Sequence, residues 1–554
     1  MNFPVWIAVR KHGRLRLPAL VLGLLVPACL MLAPQAGGSS PSLESTPAES
    51  VEGYPSSNLR TFQWWLGAVV DPVKSTPPQV DQSSPRLAIV TPGIDVDHPD
   101  LAALDIEGAR SLGPAADLVG TAVAGIVAGT GGETGTVGIW PGMRLRHAST
   151  GSGSCDEAAD AIFGVAREPG PVKVVLLPYS FDGPSCARHL AATQYAVSRG
   201  LLVVAPTGNS GPNALGSRGP AADPHVLGVG AIDESLGRAD FSVAGPAVDL
   251  VAPGKYVFAP SLAGSTRDEV ARTYAYLDGT EYAAAMVAAA AGIVAQLRGG
   301  LSRSQIEAVL ARGSRDLDPE GRDEQFGSGL LKVEGALAAE APVADKLEPN
   351  DDIGWIDGRL LSDGNQPIEA SPLWPHDGRK VRTLQATLSP GDPADVYRIR
   401  VPARTRLVIG VAQAEGDVQI DLRRQGPAQT IQNEVGVIGA SDLPAPKTEG
   451  LAITNRARGA RSLYLVVRTG KRSGARSARY QVTVPVRRTS LDGRSASLPA
   501  GASLPEEGGD ALLSVIAEED LAEPCLLGLD AQVGIAAGEG DLLDLLDCEG
   551  RLTG

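Results

Sequence analysis

Three short apolar runs, residues 87–90 (LAIV), 172–177 and 201–205, are separated by helix-length stretches with one apolar face, residues 155–167 and 186–198. This alternation constrains the chain more than any other feature. Such strands have no polar side to turn to water, so both faces of their sheet must be covered, and helices between consecutive strands supply the cover. The expectation is a largely parallel sheet with a helical layer on each side. Thr91, Pro92 and Gly93 end the first run in a turn. Residues 282–297 are almost entirely apolar and dominated by alanine, too short for an ordinary membrane span and suited to a central helix packed closely on all sides. Residues 305–312 form another helix-like segment, and residues 326–331 (FGSGLL) have the pattern of a closing strand.

Acidic, proline-containing residues 345–352 mark a boundary. Beyond it, residues 397–401, 407–412, 418–422, 462–468 and 479–484 are short strands divided by turn-rich loops, the pattern of an all-β sandwich. With 554 residues the chain has room for several domains. Its formal charge of −15 is uneven: residues 501–554 hold 13 acidic residues and one basic, whereas residues 456–494 hold 11 basic and one acidic. The basic stretch lacks an aromatic stacking ladder, and nucleic acid is not an expected partner. Docking of the acidic segment on the basic surface is the local alternative to two separately solvated faces.

Arg10, Lys11, Arg14 and Arg16 precede an apolar run over residues 17–32, a positive n-region followed by an h-region. Residues 1–36 therefore read as an export signal, and residues 37–58, rich in Ser, Pro and Glu, as a linker. Val26-Pro27-Ala28-Cys29 resembles a bacterial lipobox, which makes Cys29 the lipidation site. Cleavage near Ala36 and an uncleaved membrane anchor are the other two outcomes these residues allow. The chain is expected to be exported, either secreted or held at a bacterial cell envelope. Four cysteines then remain in an oxidising compartment. They allow three pairings, and their separations favour Cys155 with Cys186 and Cys525 with Cys548; four free thiols are the other reading.

Several motifs in order along the chain resemble the subtilisin-like serine protease family. Residues 87–101 (LAIVTPGIDVDHPDL) are similar to the strand and loop that deliver its aspartate, and residues 117–129 (DLVGTAVAGIVAG) to the helix that carries its histidine. Residues 206–209 (PTGN) resemble its oxyanion loop, with Asn209 as the oxyanion-hole donor, and residues 279–292 (GTEYAAAMVAAAAG) its serine-headed helix. The resemblance implies a three-layer αβα sandwich with a mostly parallel sheet over residues 59–340. It also implies that Ser180, Phe181, Asp182 and Gly183 line the peptide-binding cleft.

The same resemblance places Thr91 at the aspartate, Val119 at the histidine and Glu281 at the serine. Val119 has no lone pair to take a proton, and Glu281 is no hydroxyl nucleophile. The expectation drawn from these three positions is a catalytically inactive pseudoprotease that binds an extended peptide or an extracytoplasmic protein. An active secreted endopeptidase with a rearranged site and an envelope assembly scaffold are the alternatives. The short tether, which leaves no room for a folding propeptide, adds to that expectation. Asp95, His98, His189, Ser210 and His225 read as turn, capping or surface residues.

Residues 345–487 (EPNDD near the start, DVYRI within) resemble the prepeptidase C-terminal domain, a β-sandwich. Asp351 and Asp352 read as turn or capping residues, and neither a metal nor a cofactor is expected. Residues 488–554 form an acidic appended segment.

Overall fold

The computed structural model describes most of residues 55–484. Residues 1–54, 110–116, 182–185, 213–218, 263–272, 354–381 and 470–477, several shorter stretches, and all but three short strands beyond residue 490 lie outside that description. The export signal, Cys29, the Cys525 and Cys548 pair, Asp182 and Gly183 all fall among those residues.

The α/β domain is built on seven strands: β1 (Arg86–Thr91), β2 (Ile106–Glu107), β3 (Leu145–Ser149), β4 (Val172–Leu176), β5 (Leu202–Pro206), β6 (Leu227–Ile232) and β7 (Leu250–Pro253). Their order is β2-β3-β1-β4-β5-β6-β7, and every pairing is parallel. All residues of β1, β5 and β6 are buried, as in a parallel sheet covered on both faces.

Side chains alternate between the two faces of β1, and each face has its own core. Leu87 and Ile89 pack in the larger core, with α2 (Leu118–Ala128) and the later helix α5 (Thr280–Leu297). Ala88 and Val90 pack in the other, under α3 (Cys155–Arg167) and α4 (Ala187–Ser198). The helix Trp64–Val69, α1, adds Trp65 and Leu66 to the larger core.

Helix α5 passes through the domain centre and buries residues from Thr280 to Val294 almost without interruption, because alanine lets neighbouring backbones approach from every side. It is long and apolar enough to cross a membrane, but 78% of its apolar window is buried inside the fold. The hairpin of β8 (Val257–Pro260) and β9 (Tyr274–Leu277) precedes it. Helix α6 (Arg303–Arg312) follows, opened by a capping box between Ser302 and Gln305.

The expected closing strand at residues 326–331 does not form a regular strand. Leu330 bridges Val251 and Arg315 singly, and the glycines at 327 and 329 take positive φ values of 59° and 114° that break the extended run.

The second domain holds two antiparallel sheets. One contains β10 (Arg382–Leu388), β17 (Ala478–Val484), β12 (Thr405–Glu415), β15 (Glu449–Asn455) and β19 (Leu513–Ala517), with β18 (Thr489–Ser490) beside β12. The other orders β11 (Ala394–Val401), β16 (Arg461–Thr469), β13 (Val418–Arg424) and β14 (Val437–Ser441). Alternate residues such as Tyr397, Ile399 and Val401, with Ile420 and Leu422 of the neighbouring β13, meet in one core between the sheets. This is the expected all-β sandwich. Arg468 and Arg479 of the basic stretch pair with Asp421 and Glu415 inside it, and β19, from the acidic segment, adds a strand beside β15.

Candidate functional site

In a parallel α/β sheet, functional groups collect where strands end and the following helices begin. The beginnings of two helices and the ends of two strands converge here. Helix α2 starts at Asp117, whose Oδ2 accepts from the Gly120 N–H at 2.8 Å as an N-cap. Helix α5 starts after Gly279, which has no side chain to cap it. Asn209, on the loop after β5, does so from outside: its Oδ1 accepts from the Thr280 N–H at 2.9 Å and from Thr280 Oγ1 at 2.8 Å. Its Nδ2 donates to Glu281 Oε2 at 2.8 Å. One asparagine therefore caps the central helix and orients a carboxylate in its first turn.

Thr91 ends β1 and is buried. Its hydroxyl donates to the Gly93 carbonyl at 2.9 Å and accepts from the Gly93 N–H at 3.1 Å, so it closes a local turn and is engaged on both sides. Val119, in the first turn of α2, is partly buried and packs against the core. Thr91, Val119 and Glu281 thus stand at the ends of β1, α2 and α5.

The electrostatics of the site come from Glu281, Asp117 and His147. Burial pushes the Glu281 carboxyl above the ordinary carboxylate range; the Asn209 amide and the residue's own N–H pull it down, and the charge of Asp117 pushes it up further. Burial likewise raises Asp117, against the lowering effects of the Gly120 and Val119 N–H groups and of His147. His147, on β3, is 8% exposed, and its Nε2 lies 3.1 Å from the Thr91 carbonyl. Burial lowers its basicity, while the Thr91 and Gly108 carbonyls and Asp117 raise it. Asp117 is electrostatically coupled to both other groups. The arrangement can hold a proton on one carboxyl while the other stays ionised.

Neither Asp117 nor His147 stood out in the sequence for this role. An aspartate before an apolar helix with glycine three residues on is the ordinary mark of an N-cap, and His147 has no motif around it. Only the parallel pairing of β1 with β3, which sets Ile89 opposite His147 and Thr91 opposite Ser149, brings the imidazole to this end of the sheet.

Ser180 and Phe181 lie past β4, alongside Gly208 and Gly219, and therefore border the Asn209 loop. The remaining polar residues have structural partners. His98 Nε2 meets the Thr273 carbonyl at 2.8 Å, while His98 Nδ1 accepts from the Asp100 N–H at 3.1 Å. His189 is wholly buried, bonded to the Tyr179 hydroxyl at 3.0 Å, and driven by burial down to about 4. His225 pairs with Asp223 at 2.7 Å. Asp95 receives the Asp97 N–H, and Ser210 is exposed beside Asn209. Cys155 and Cys186 form a disulfide that ties the start of α3 to the start of α4.

The model of the subtilase family matches residues 85–329. Subtilisin Savinase of Lederbergia lenta is 33% identical over 264 residues, which cover 46% of this chain and 91% of that protein. An alkaline protease of Alkalihalobacillus alcalophilus is also 33% identical over 264 residues, covering 46% of this chain and 64% of its own length. Alkaline elastase YaB of Bacillus sp. (strain YaB) is 30% identical over 289 residues, covering 50% and 71%.

These relatives overturn the expectation that the chain is not an enzyme, and with it the pseudoprotease and pseudoenzyme reading. That expectation rested on three positions, whereas the similarity runs through the whole domain to proteins named as proteases and favours the alternative of an active endopeptidase. It also left out the titratable carboxyls that the fold gathers at the same place. With its parallel strand order, its central helix and this extent of shared sequence, the chain belongs to the subtilase family.

Proposed function

We propose that this chain is an exported, peptide-cleaving member of its family that works through a rearranged site, with Asp117 as general base and Glu281 as general acid. The observation that carries this reading is the Glu281 carboxyl, fixed by Asn209 at the head of α5 and raised by burial and by the charge of Asp117. Thr91, Val119 and Glu281 take the places of the family's aspartate, histidine and serine. The Thr91 hydroxyl is held by Gly93 and Val119 has no basic atom, so proton transfer falls to the carboxyls.

Asp117, which accepts helix N–H groups, would serve as the ionised member, and its charge pushes the Glu281 carboxyl up, which favours a proton there. Asp117 would take a proton from water as its oxygen attacks the scissile carbonyl, and Glu281 would give its proton to the departing amine. An extended peptide would lie along the edge bounded by Ser180 and Phe181 and the Asn209 loop, held by backbone hydrogen bonds.

The family relationship supports an extracytoplasmic location, secreted or envelope-attached. The sandwich is read as a prepeptidase C-terminal domain that carries the peptidase to a protein or peptide partner.

The test is hydrolysis of an unfolded protein by the purified chain between about pH 3 and pH 8, with parallel exposure to a fluorophosphonate. The expected result is cleavage with an acidic, bell-shaped profile, lost in Glu281→Gln and Asp117→Asn, with no serine labelled. Cleavage that persists in both variants, or a labelled serine, would move the chemistry to another nucleophile; no cleavage at any pH would refute the reading outright.

A further inference from the structure

Two chain reversals at one end of the sandwich gather four exposed arginines. One reversal joins β11 to β12 and bears Arg404; the other joins β15 to β16 and bears Arg456 and Arg458, with Arg461 opening β16. The pairing of Val401 with Arg461, and of Thr405 with Asn455, sets both reversals at the same end. Among the described residues, Arg456, Arg458 and Arg461 form no ion pair. They differ in this from Arg468 and Arg479 of the same basic stretch, which meet Asp421 and Glu415. Residues 396–414 and 450–491 contain no acidic residue, so the strands that feed the reversals bring no counter-charge.

The two reversals are tied together by one side chain. Asn455 is wholly buried; its Nδ2 lies 3.1 Å, 2.9 Å and 3.0 Å from the carbonyl oxygens of Val401, Pro402 and Gly459, and its Oδ1 accepts from the Ala457 N–H at 3.1 Å. The Arg404 N–H adds a bond to the Ala457 carbonyl at 3.3 Å. Each reversal crosses between the two sheets, and a buried amide bonded on every side fixes them relative to each other. Arg404 has a φ of 50°, a left-handed conformation that glycine adopts freely and a larger residue only at a cost. Strain held in place by the surrounding structure is a mark of function. The neighbours of the arginines are small: Pro402, Ala403, Thr405, Ala457, Gly459 and Ala460.

We propose that this end of the sandwich docks on a bilayer surface of anionic phospholipid headgroups. A guanidinium group stays charged at every ordinary pH and matches a phosphate with two parallel hydrogen bonds. An anionic leaflet offers many phosphates in one plane, and each arginine held near it strengthens binding about fivefold. Turns at strand ends present their charges outward to such a plane. A linear polyanion is instead gripped along a groove with stacking rings, and neither residues 400–406 nor residues 455–461 include an aromatic residue. With small residues between the arginines, the contact is made at headgroup level and without insertion into the hydrocarbon. The export signal read in residues 1–36 brings the chain to a membrane, and this contact would hold the sandwich, and the domain before it, against that surface.

This inference is independent of the chemistry proposed above, and its readout is lipid binding. The full chain, and the chain without residues 1–36 so that the export signal's own affinity is measured apart, are sedimented with phosphatidylcholine vesicles and with vesicles holding about one-third phosphatidylglycerol. The expected result is binding of both forms to the anionic vesicles, weakening steeply with salt, and little binding of the shorter form to phosphatidylcholine. In the shorter form, Arg456→Gln/Arg458→Gln should bind the anionic vesicles roughly 25-fold more weakly with an unchanged melting temperature, since both side chains are exposed and unpaired. Arg404→Gly, which removes a charge from a backbone that suits glycine, should lose about fivefold. Lys173→Gln/Arg199→Gln removes the same charge from exposed positions of the α/β domain and should bind like wild type. Failure of the shorter form to sediment with anionic vesicles, as when the chain's own acidic segment or a soluble polyanion occupies the arginines, overturns the proposal. So does an equal loss in the Lys173 and Arg199 variant, or undiminished binding in the Arg456 and Arg458 variant.

Discussion

Helix α2 approaches β1 so closely at Gly120 that one methyl group there should be felt throughout the site. A Cβ at this position would lie 2.1 Å from the Gly93 carbonyl oxygen and 2.5 Å from Thr91 Oγ1. Both obstacles are fixed: one is backbone, and the other is a hydroxyl already bonded on two sides. The helix or the turn must therefore move by about an ångström, and overpacking of this kind costs about 1–3 kcal/mol. A 2.1 Å approach to fixed backbone puts the cost at the upper end of that range, and alanine recovers at most about 1 kcal/mol of helix propensity, so Gly120→Ala should be destabilised by about 2 kcal/mol.

Gly164, on α3, is the matched control, because it is exposed and a Cβ there would meet nothing within 4 Å. Gly164→Ala should gain about 0.5–1 kcal/mol. Urea unfolding followed by tryptophan fluorescence suits both variants, since Trp65 and Trp140 are wholly buried in this domain. A Gly120→Ala protein within about 0.5 kcal/mol of wild type, or a Gly164→Ala protein that falls as far as it does, would refute the close-approach argument.

Asn209→Ala removes both the cap on α5 and the donor to Glu281; it should cost about 1–2 kcal/mol in urea unfolding, and an unchanged midpoint would show that the loop does not hold the helix. Replacing Cys155 and Cys186 together with serine opens a loop with a sequence separation of 31, which should cost about 3–4 kcal/mol on the chain-entropy model; a loss below about 1 kcal/mol would place the constraint elsewhere. The raised carboxyl of Glu281 contributes stability that is fully present below its unfolded value and lost as pH rises through the elevated folded value. Glu281→Gln does not titrate, so its stability relative to wild type should improve between about pH 4 and pH 8. A difference that stays flat with pH would contradict burial as the cause.

Much of the architecture was legible because it is written locally. Apolar runs made β1, β4 and β5 parallel strands covered on both faces, an alanine-rich segment made α5 the central helix, and alternation along residues such as Tyr397, Ile399 and Val401 made a sandwich. Each pattern lies within a few residues of itself, and water alone decides which side must be covered. The expected strand at residues 326–331 failed for a reason equally local: two glycines with positive φ interrupt a run whose composition looked extended.

The sites were another matter. Thr91, Val119, Asn209 and Glu281 could be located by resemblance, and a contact between Asn209 and Glu281 follows from the family geometry, yet their sequence positions do not say that Asn209 also caps α5, or that His147 and Asp117 share a field with Glu281. Glu348 and Asp395 lie in the EPNDD and DVYRI motifs, yet nothing along the chain says that their carboxylates meet that of Asp392. Strand register and domain docking decide which distant side chains meet, and the charge, burial and proton affinity of a group depend on those meetings. Sequence by itself determined the elements and the faces they bury; tertiary structure alone decided which carboxylates stand together, because desolvation and Coulomb forces act through space and are indifferent to separation along the chain.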